Sequence, residues 1–165
     1  MKNIKVGIYI NSKVQHPAVI ENMLLMCKKR IFRLYHSVNI QYKIYKDREE
    51  VPSRQGKGFM KMMDDVNNSA IEVIVTTNLG RLVQTAEDAF YFIRYLYGRK
   101  IRLICADACN FDSASEEFRK YQYPFLQMMA ELEYRNKSNQ MYGSKKEDKD
   151  GREGCGNICK TRFKQ

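Results

Sequence analysis

The sequence predicts a three-layer α/β fold. It has a mostly parallel sheet of four or five strands, helices on both faces and a long C-terminal helix. Apolar segments of strand length alternate with segments of helical spacing up to residue 106. This order is typical of parallel sheets, because each crossover between neighbouring strands places a helix on one face. A longer run of helical spacing follows the last strand.

The first part of the chain contains two predicted strands with a helix between them. Residues 4–10 form an apolar, β-branched run that predicts a buried strand. Pro17 favours a helix start, and apolar side chains then recur at helical spacing as far as Leu34. Residues 38–45 alternate between apolar and polar side chains, which predicts the second strand.

The second part repeats the same order. Residues 46–57 are polar, contain Pro52 and Gly56, and predict a mobile loop. Beyond it we expect a short helix over 59–66, a strand over 71–77, a helix over 86–97 that Gly98 ends, and a strand over 101–106.

The C-terminal part is predicted to be one long helix over 113–142. Phe125, Met128, Met129 and Leu132 make an apolar stripe along it. Pro124 either kinks this helix or marks its true start. From residue 143 the chain is rich in Lys, Glu, Asp and Gly, which predicts a flexible basic tail. The expected division is a domain over 1–112, the helix over 113–142 and the tail over 143–165.

Composition narrows the class of protein. A chain of 165 residues suits one domain with a tail, and 44% hydrophobic residues can build a packed core. No apolar run approaches the ~18 residues of a membrane span. The first residues lack the apolar segment of a secretory signal. We therefore expect a soluble cytoplasmic protein that makes no membrane contact.

The net charge of +10 leaves two interpretations open. The basic side chains either serve solubility or contact a polyanion. Their clustering, at 28–30, 99–100, 145–146 and 160–164, favours nucleic acid over a membrane surface.

The five cysteines are an odd number in a chain without a predicted signal, which favours free thiols. The pairs Cys105/Cys109 and Cys155/Cys159 are each separated by three residues. This spacing is looser than that of common zinc sites, so we expect no metal, although Cys155 and Cys159 stay open as ligands. No Gly-rich phosphate loop is present, and no cofactor is expected.

Four blocks of the sequence resemble the catalytic domain of serine recombinases of the resolvase/invertase family, in the family's order and spacing. The first block is Val-Gly-Ile-Tyr-Ile-Asn over 6–11, and the second is Tyr-Lys-Asp over 45–47 with Gly-Phe-Met-Lys-Met-Met over 58–63. The third is Glu-Val-Ile-Val over 72–75 with Asn-Leu-Gly-Arg-Leu-Val-Gln over 78–84. The fourth is Asp-Ser-Ala-Ser over 112–115 with the predicted helix over 126–135.

The resemblance implies a defined chemistry. In that family a serine hydroxyl attacks a DNA phosphodiester and forms a phosphoserine bond, while arginines stabilise the charge on the phosphate and no metal is needed. It further implies that the long helix dimerises, that four protomers exchange strands, and that the far end of the helix reaches the DNA.

The resemblance fails at the residues that carry this chemistry. An ungapped alignment places the family's nucleophilic serine on Lys13 and an arginine on Asn11. A loop arginine falls on Gly56, with Arg54 two residues away. In the third block Arg81 keeps one of the family's arginines, but Gly80, Val83 and Gln84 stand where the family has an aspartate, a serine and a second arginine.

The candidate catalytic residues are therefore Ser12 and Arg81, and the candidate phosphate-binding residues are Lys13, Arg54, Arg81 and Arg135. Ser12 lies one position from the nucleophile and is otherwise a turn or helix-capping serine. Lys13 would act as a point charge beside a phosphate.

Three functions remain open. The first is a catalytically inactive, self-associating regulatory or architectural factor in DNA recombination, which binds DNA non-specifically or with a partner's help. The second is an active recombinase that uses Ser12 as nucleophile. The third is a protein-interaction module without a DNA role.

Overall fold

A computed structural model describes residues 3–48, 55–107 and 111–154, with side chains as far as residue 140. It confirms the predicted α/β fold. The sheet has four strands in the order β2-β1-β3-β4, and every neighbouring pair is parallel. The elements are β1 (Asn3–Asn11), α1 (Pro17–Leu34), β2 (Asn39–Asp47), α2 (Lys57–Asn67), β3 (Val73–Thr76), α3 (Ala86–Gly98), β4 (Arg102–Cys105) and α4 (Tyr123–Gly154).

Two hydrophobic cores lie on the two faces of the sheet. Side chains of β1 alternate between them, because successive residues of a strand point to opposite faces. Ile8 packs beneath α1 with Cys27 and Ile31, whereas Tyr9 packs with Phe59 of α2 and side chains of α3. Burial raises the pKa of the Cys27 thiol to about 12. Cys27 and Cys105 are buried thiols that form no disulfide among the described residues, which agrees with the sequence-based expectation, and the remaining three cysteines lie outside the described side chains.

β1 and β2 pair along their whole length, from Asn3 opposite Asn39 to Asn11 opposite Asp47. Both strands therefore end at the same edge of the sheet, and β3 ends beside them. The start of α2 lies against this edge. A Cβ atom on Gly58 would stand 2.5 Å from the backbone oxygen of Lys46, so only glycine allows this approach of helix to strand.

The long helix begins later than the sequence predicts. Ser113 belongs to a short segment beside β4, where its amide donates to the oxygen of Leu103 and its Oγ accepts from the Leu103 amide. Helical backbone starts at Glu116. Ser115 caps this start, because its Oγ accepts a hydrogen bond from the Phe118 amide at 3.1 Å.

A π-helical turn over Phe118–Gln122 precedes α4, and the Tyr123 amide closes it by donating to the oxygen of Phe118. Pro124 follows as the second residue of α4 and so marks the start of the regular helix. The helix continues to Gly154, beyond the predicted end at residue 142. Residues 155–165 lie outside the described part of the chain, and so does any metal site at Cys155 and Cys159.

None of the helices in the described part of the chain is long and apolar enough to cross a lipid bilayer.

Candidate active site at the carboxyl edge of the sheet

β1 delivers three polar residues to the carboxyl edge of the sheet, which is where open α/β folds bind ligands. Asn11 and Ser12 are buried, at 2% and 3% exposure, whereas Lys13 is exposed. The Ser12 amide donates to the backbone oxygen of Asp47 at 3.2 Å. The Ser12 hydroxyl donates to the backbone oxygen of Val14 at 3.1 Å. These contacts are those of a serine that stabilises a turn.

Asp47, the last residue of β2, accepts three hydrogen bonds at this edge. Its carboxylate accepts hydrogen bonds from the amides of Gly58 and Phe59 at 2.7 and 2.8 Å, and from the Tyr9 hydroxyl at 3.0 Å. The start of a helix attracts anions because its first amides have no partner in the helix. Asp47 therefore occupies donors of α2 that would otherwise be free to bind a phosphate.

The sequence patterns predict no role for Asp47. The sequence does contain a feature that indicates such a cap: an aspartate ends β2, and glycines flank the first residue of the next helix.

β3 delivers the second part of the site. Thr76 and Thr77 are buried at its end, and Thr76 Oγ1 has no hydrogen-bond partner among the described residues. A single 3₁₀ turn over Leu79–Arg81 follows, with Arg81 half-buried. Thr85 then caps α3 by accepting from the Asp88 amide at 3.0 Å.

The predicted site residues fall into three groups. Ser12, Lys13 and Arg81 follow neighbouring strands at one edge of the sheet. Arg135 lies apart from this group, as an exposed residue of α4 that lines a cavity of about 280 Å³ between α3 and α4. Arg54 lies outside the described residues.

α4 contacts the start of α3 through a carboxylate that sequence analysis missed. Glu133 accepts hydrogen bonds from the amides of Ala86 and Glu87, at 3.3 and 3.0 Å. Lys137, one turn later, pairs with the Glu87 carboxylate at 2.5 Å, and this contact raises the pKa of the lysine. α4 is thus tied to the helix that follows the Arg81 loop.

Replacing Glu133 with alanine should speed amide hydrogen exchange at Ala86 and Glu87 by about 5- to 30-fold, because losing a helix cap costs about 1–2 kcal/mol. Exchange measured residue by residue by NMR tests this. Glu131→Ala is the matched control, since the Glu131 carboxylate accepts from Gln127 within α4. Equal protection in the two variants would contradict the prediction.

The chemistry available at the sheet edge is limited. The Lys13 ammonium is exposed there and the Arg81 guanidinium is half-buried, while the Asp47 carboxylate is hydrogen-bonded to α2. Across the ranges that the structure describes, no group of three or more His, Cys, Asp or Glu side chains is placed to hold a metal ion.

Comparison with known proteins adds the family context. The sequence model of a protein family, described as the N-terminal domain of resolvases, matches residues 26–153 of this chain. A resolvase family site-specific recombinase from Streptococcus pneumoniae is similar in structure, with 23% identity, a TM-score of 0.61, and coverage of 88% of this chain and 99% of that one. No curated protein matches the chain.

Two further solved structures share the fold. The N-terminal catalytic domain of TP901-1 integrase is 17% identical, with a TM-score of 0.62 and coverage of 82% of this chain and 98% of that one. The C-terminal catalytic domain of ISC1926 TnpA, an IS607-like serine recombinase, is 16% identical, with a TM-score of 0.51 and coverage of 62% and 69%.

Proposed function

Because the chain belongs to the resolvase family of serine recombinases, we propose that it is a DNA-associated, self-associating protein that does not cleave DNA. It would act as a regulatory or architectural factor in recombination. The observation that carries this proposal is the state of the Ser12 hydroxyl, which is buried and donates its hydrogen bond to the backbone of its own turn.

A nucleophile must reach the phosphorus atom in line with the leaving group. Ser12 would have to leave its turn to do so. The position on which the family's nucleophile falls holds Lys13, which has no hydroxyl. Loss of a nucleophile and its partners together behaves as loss of one catalytic unit and lowers rates by several powers of ten.

The missing arginines support the same conclusion. A family arginine falls on Gly56, where a Cβ atom would stand 2.5 Å from Asp47 Oδ2. The cap that Asp47 makes on α2 therefore leaves no room for a side chain at this position. Arg81 keeps a guanidinium at the edge, and Lys13 adds an exposed ammonium. Two cations without a nucleophile suit phosphate binding better than phosphate cleavage.

Self-association would use α4. Phe125, Met128 and Leu132 are exposed on this helix at 59%, 49% and 45%, and they lie at helical spacing. An apolar stripe of this kind on a long helix is typical of a helix–helix interface. We propose that it forms a dimer or a tetramer.

Ser12→Ala should leave every DNA activity unchanged, because the hydroxyl supports a turn. The test incubates the wild type and the variant with supercoiled plasmid and with randomised linear duplexes, and then separates covalent protein–DNA adducts on denaturing gels. An active serine recombinase on its own site is the positive control. An adduct that forms with the wild type and disappears in Ser12→Ala would instead establish an active recombinase.

DNA binding is tested separately by salt titration. The affinity should fall steeply with salt, because each neutralised phosphate releases counterions. Replacing Lys13 and Arg81 together with glutamine should reduce the slope of log affinity against log salt by about two. Lys5→Gln, which changes an exposed lysine near the start of β1 and away from the carboxyl edge, is the control for a general loss of charge. Absence of binding at low salt would leave a protein-interaction module as the function.

A further inference from the structure

The outer edge of β2 is open along the described part of the chain. β2 is an edge strand of nine residues that pairs with β1 on one side. Backbone donors and acceptors on its other side are therefore available for a further strand. Proteins usually protect such an edge, because an unpaired strand is a template for strand addition.

The face of β2 toward α1 is apolar and only partly covered. Ile40 packs in the core beneath α1, whereas Tyr42 and Ile44 are 37% and 43% exposed. α1 lies over β1 and β3, where its Cys27 and Ile31 are buried, and so leaves the outer part of β2 uncovered.

A groove continues this uncovered face toward the carboxyl end of β2. It is a cavity of about 590 Å³ between the start of α1 and the end of β2. Ile20 and Leu24 of α1 form its apolar wall, while Lys46 and Arg48 form its basic wall. Tyr42, Ile44 and Lys46 point to the same face because they alternate along the strand. The name β2 groove is used below for the six residues Ile20, Leu24, Tyr42, Ile44, Lys46 and Arg48.

The β2 groove carries more basic than acidic side chains, which favours an acidic occupant. Lys28 lies over the Tyr42 ring, with its Nζ 5.6 Å from the ring centroid, so it adds a third cation to the two in the basic wall. Among the residues that line the cavity, Glu21 supplies the acidic charge. A second copy would bring the same excess of cations to the edge and be repelled. An acidic segment would be attracted.

We propose that the β2 groove binds an extended segment of a partner protein in which apolar and acidic residues alternate, and that this segment adds to β2 as a fifth strand. Main-chain hydrogen bonds to the open edge would provide affinity, and alternate side chains would provide specificity. Apolar side chains of the segment would cover Tyr42, Ile44 and Leu24, and its carboxylates would pair with Lys46 and Arg48. A DNA backbone offers nothing to the apolar wall. Its phosphate oxygens accept from amides, but it has no N–H group for the carbonyl oxygens of the edge, so the occupant is protein.

The test uses a blocked nine-residue peptide that alternates valine and glutamate. Its affinity is measured by fluorescence anisotropy, and its position is mapped by amide chemical shifts. The peptide should shift amides of β2 at concentrations up to about 2 mM. A valine–lysine peptide and peptides N-methylated on alternate residues should bind about tenfold more weakly.

Ile44→Glu should weaken the valine–glutamate peptide about tenfold, because it removes an apolar contact and adds a like charge. Gln41→Glu is the matched control: it makes the same charge change on the opposite face of the same strand and should weaken binding less than about threefold. Circular dichroism confirms that both variants fold.

Four results would overturn the proposal. They are the absence of shifts on β2, shifts that map to α4 instead, equal affinity for the lysine peptide, and displacement of the peptide from β2 by a DNA duplex. Sedimentation gives a fifth, since self-association that Ile44→Glu abolishes would make a second copy the occupant. None of these readouts depends on strand cleavage or on the Lys13–Arg81 edge, so failure here leaves the proposed function standing.

Discussion

Replacing Asp47 with alanine should lower the free energy of unfolding by about 2–4 kcal/mol. The change leaves the amides of Gly58 and Phe59 and the hydroxyl of Tyr9 without the acceptor they share. Loss of a helix cap costs about 1 kcal/mol, and each buried polar group left without a partner adds about 1–3 kcal/mol, partly relieved where water enters. The carboxylate is 8% exposed, so water replaces it poorly.

Urea denaturation followed by circular dichroism measures this loss. Asp47→Asn is the matched control, because an amide oxygen of similar shape still accepts a hydrogen bond but carries no charge. We expect it to lose less than Asp47→Ala. A loss below about 1 kcal/mol for Asp47→Ala would show that the carboxylate does not hold α2 against the sheet.

Replacing Asp112 with alanine should be at least as costly, at about 3–5 kcal/mol, because it leaves a partly buried guanidinium without its partner. Arg102 donates to both oxygens of Asp112, at 2.9 and 2.5 Å, and to the Tyr35 hydroxyl at 2.8 Å. The same carboxylate accepts from the Ala114 amide at 3.0 Å. The Arg102 side chain therefore links β4 both to the segment before the long helix, through Asp112, and to Tyr35, the residue that follows α1.

The contribution of Asp112 should depend on pH in the acid range. Burial acts to raise its pKa, but hydrogen bonds from Arg102 and Ala114 outweigh burial and hold the pKa below the ordinary value. A lowered pKa stabilises the folded state at pH values above the pKa of the unfolded state, which is ~3.9 for an aspartate. This stabilisation disappears as the pH falls through the pKa of the folded state.

The difference in unfolding free energy between the wild type and Asp112→Asn should therefore be largest above about pH 4 and shrink below it. Denaturant titrations between about pH 2 and 7 measure it. A difference that stays constant over this range would mean that the Asp112 carboxylate does not titrate differently in the folded and unfolded states.

Local sequence predicted most of the sheet and its helices. β1, α1 and α3 lie within one or two residues of their expected bounds, because Pro17 starts one helix, Gly98 ends another and the strands are β-branched. β3 is shorter than the predicted strand over 71–77. Ile71 and Thr77 are buried but lie outside the hydrogen-bonded strand. Hydrophobicity indicates that a residue is buried, but it does not indicate whether that residue is paired in the sheet.

The start of the long helix could not be predicted in this way. Ser113 and Ser115 are both plausible caps in the sequence. The choice depends on Leu103, whose backbone pairs with Ser113 and draws it out of the helix. A contact between residues ten positions apart leaves no periodic trace in the sequence.

The candidate site was predicted in part. The edge on which Ser12, Lys13 and Arg81 lie followed from the strand order. The roles of Asp47 and Glu133 did not, because each caps a helix that is distant from it in the chain, by 11 residues for Asp47 and by 47 for Glu133. Burial of the Ser12 hydroxyl in its own turn likewise depends on backbone geometry that residue types do not encode.

The π-helical turn before α4 keeps two anchored parts of one long helix in phase. Phe118, the first residue of the turn, is buried in the core, and Ala130 and Glu133 face α3 downstream of the turn. At 100° per residue, Ala130 would lie about 120° around the helix axis from Phe118, but about 20° from it once the turn absorbs one residue. Deleting a single residue within the turn would restore ordinary helical hydrogen bonding with both anchors still aligned. The same deletion between the turn and Glu133 would rotate that carboxylate by about 100° around the helix axis, away from α3. Between these two anchors, the turn is therefore the place that accommodates the loss of a residue.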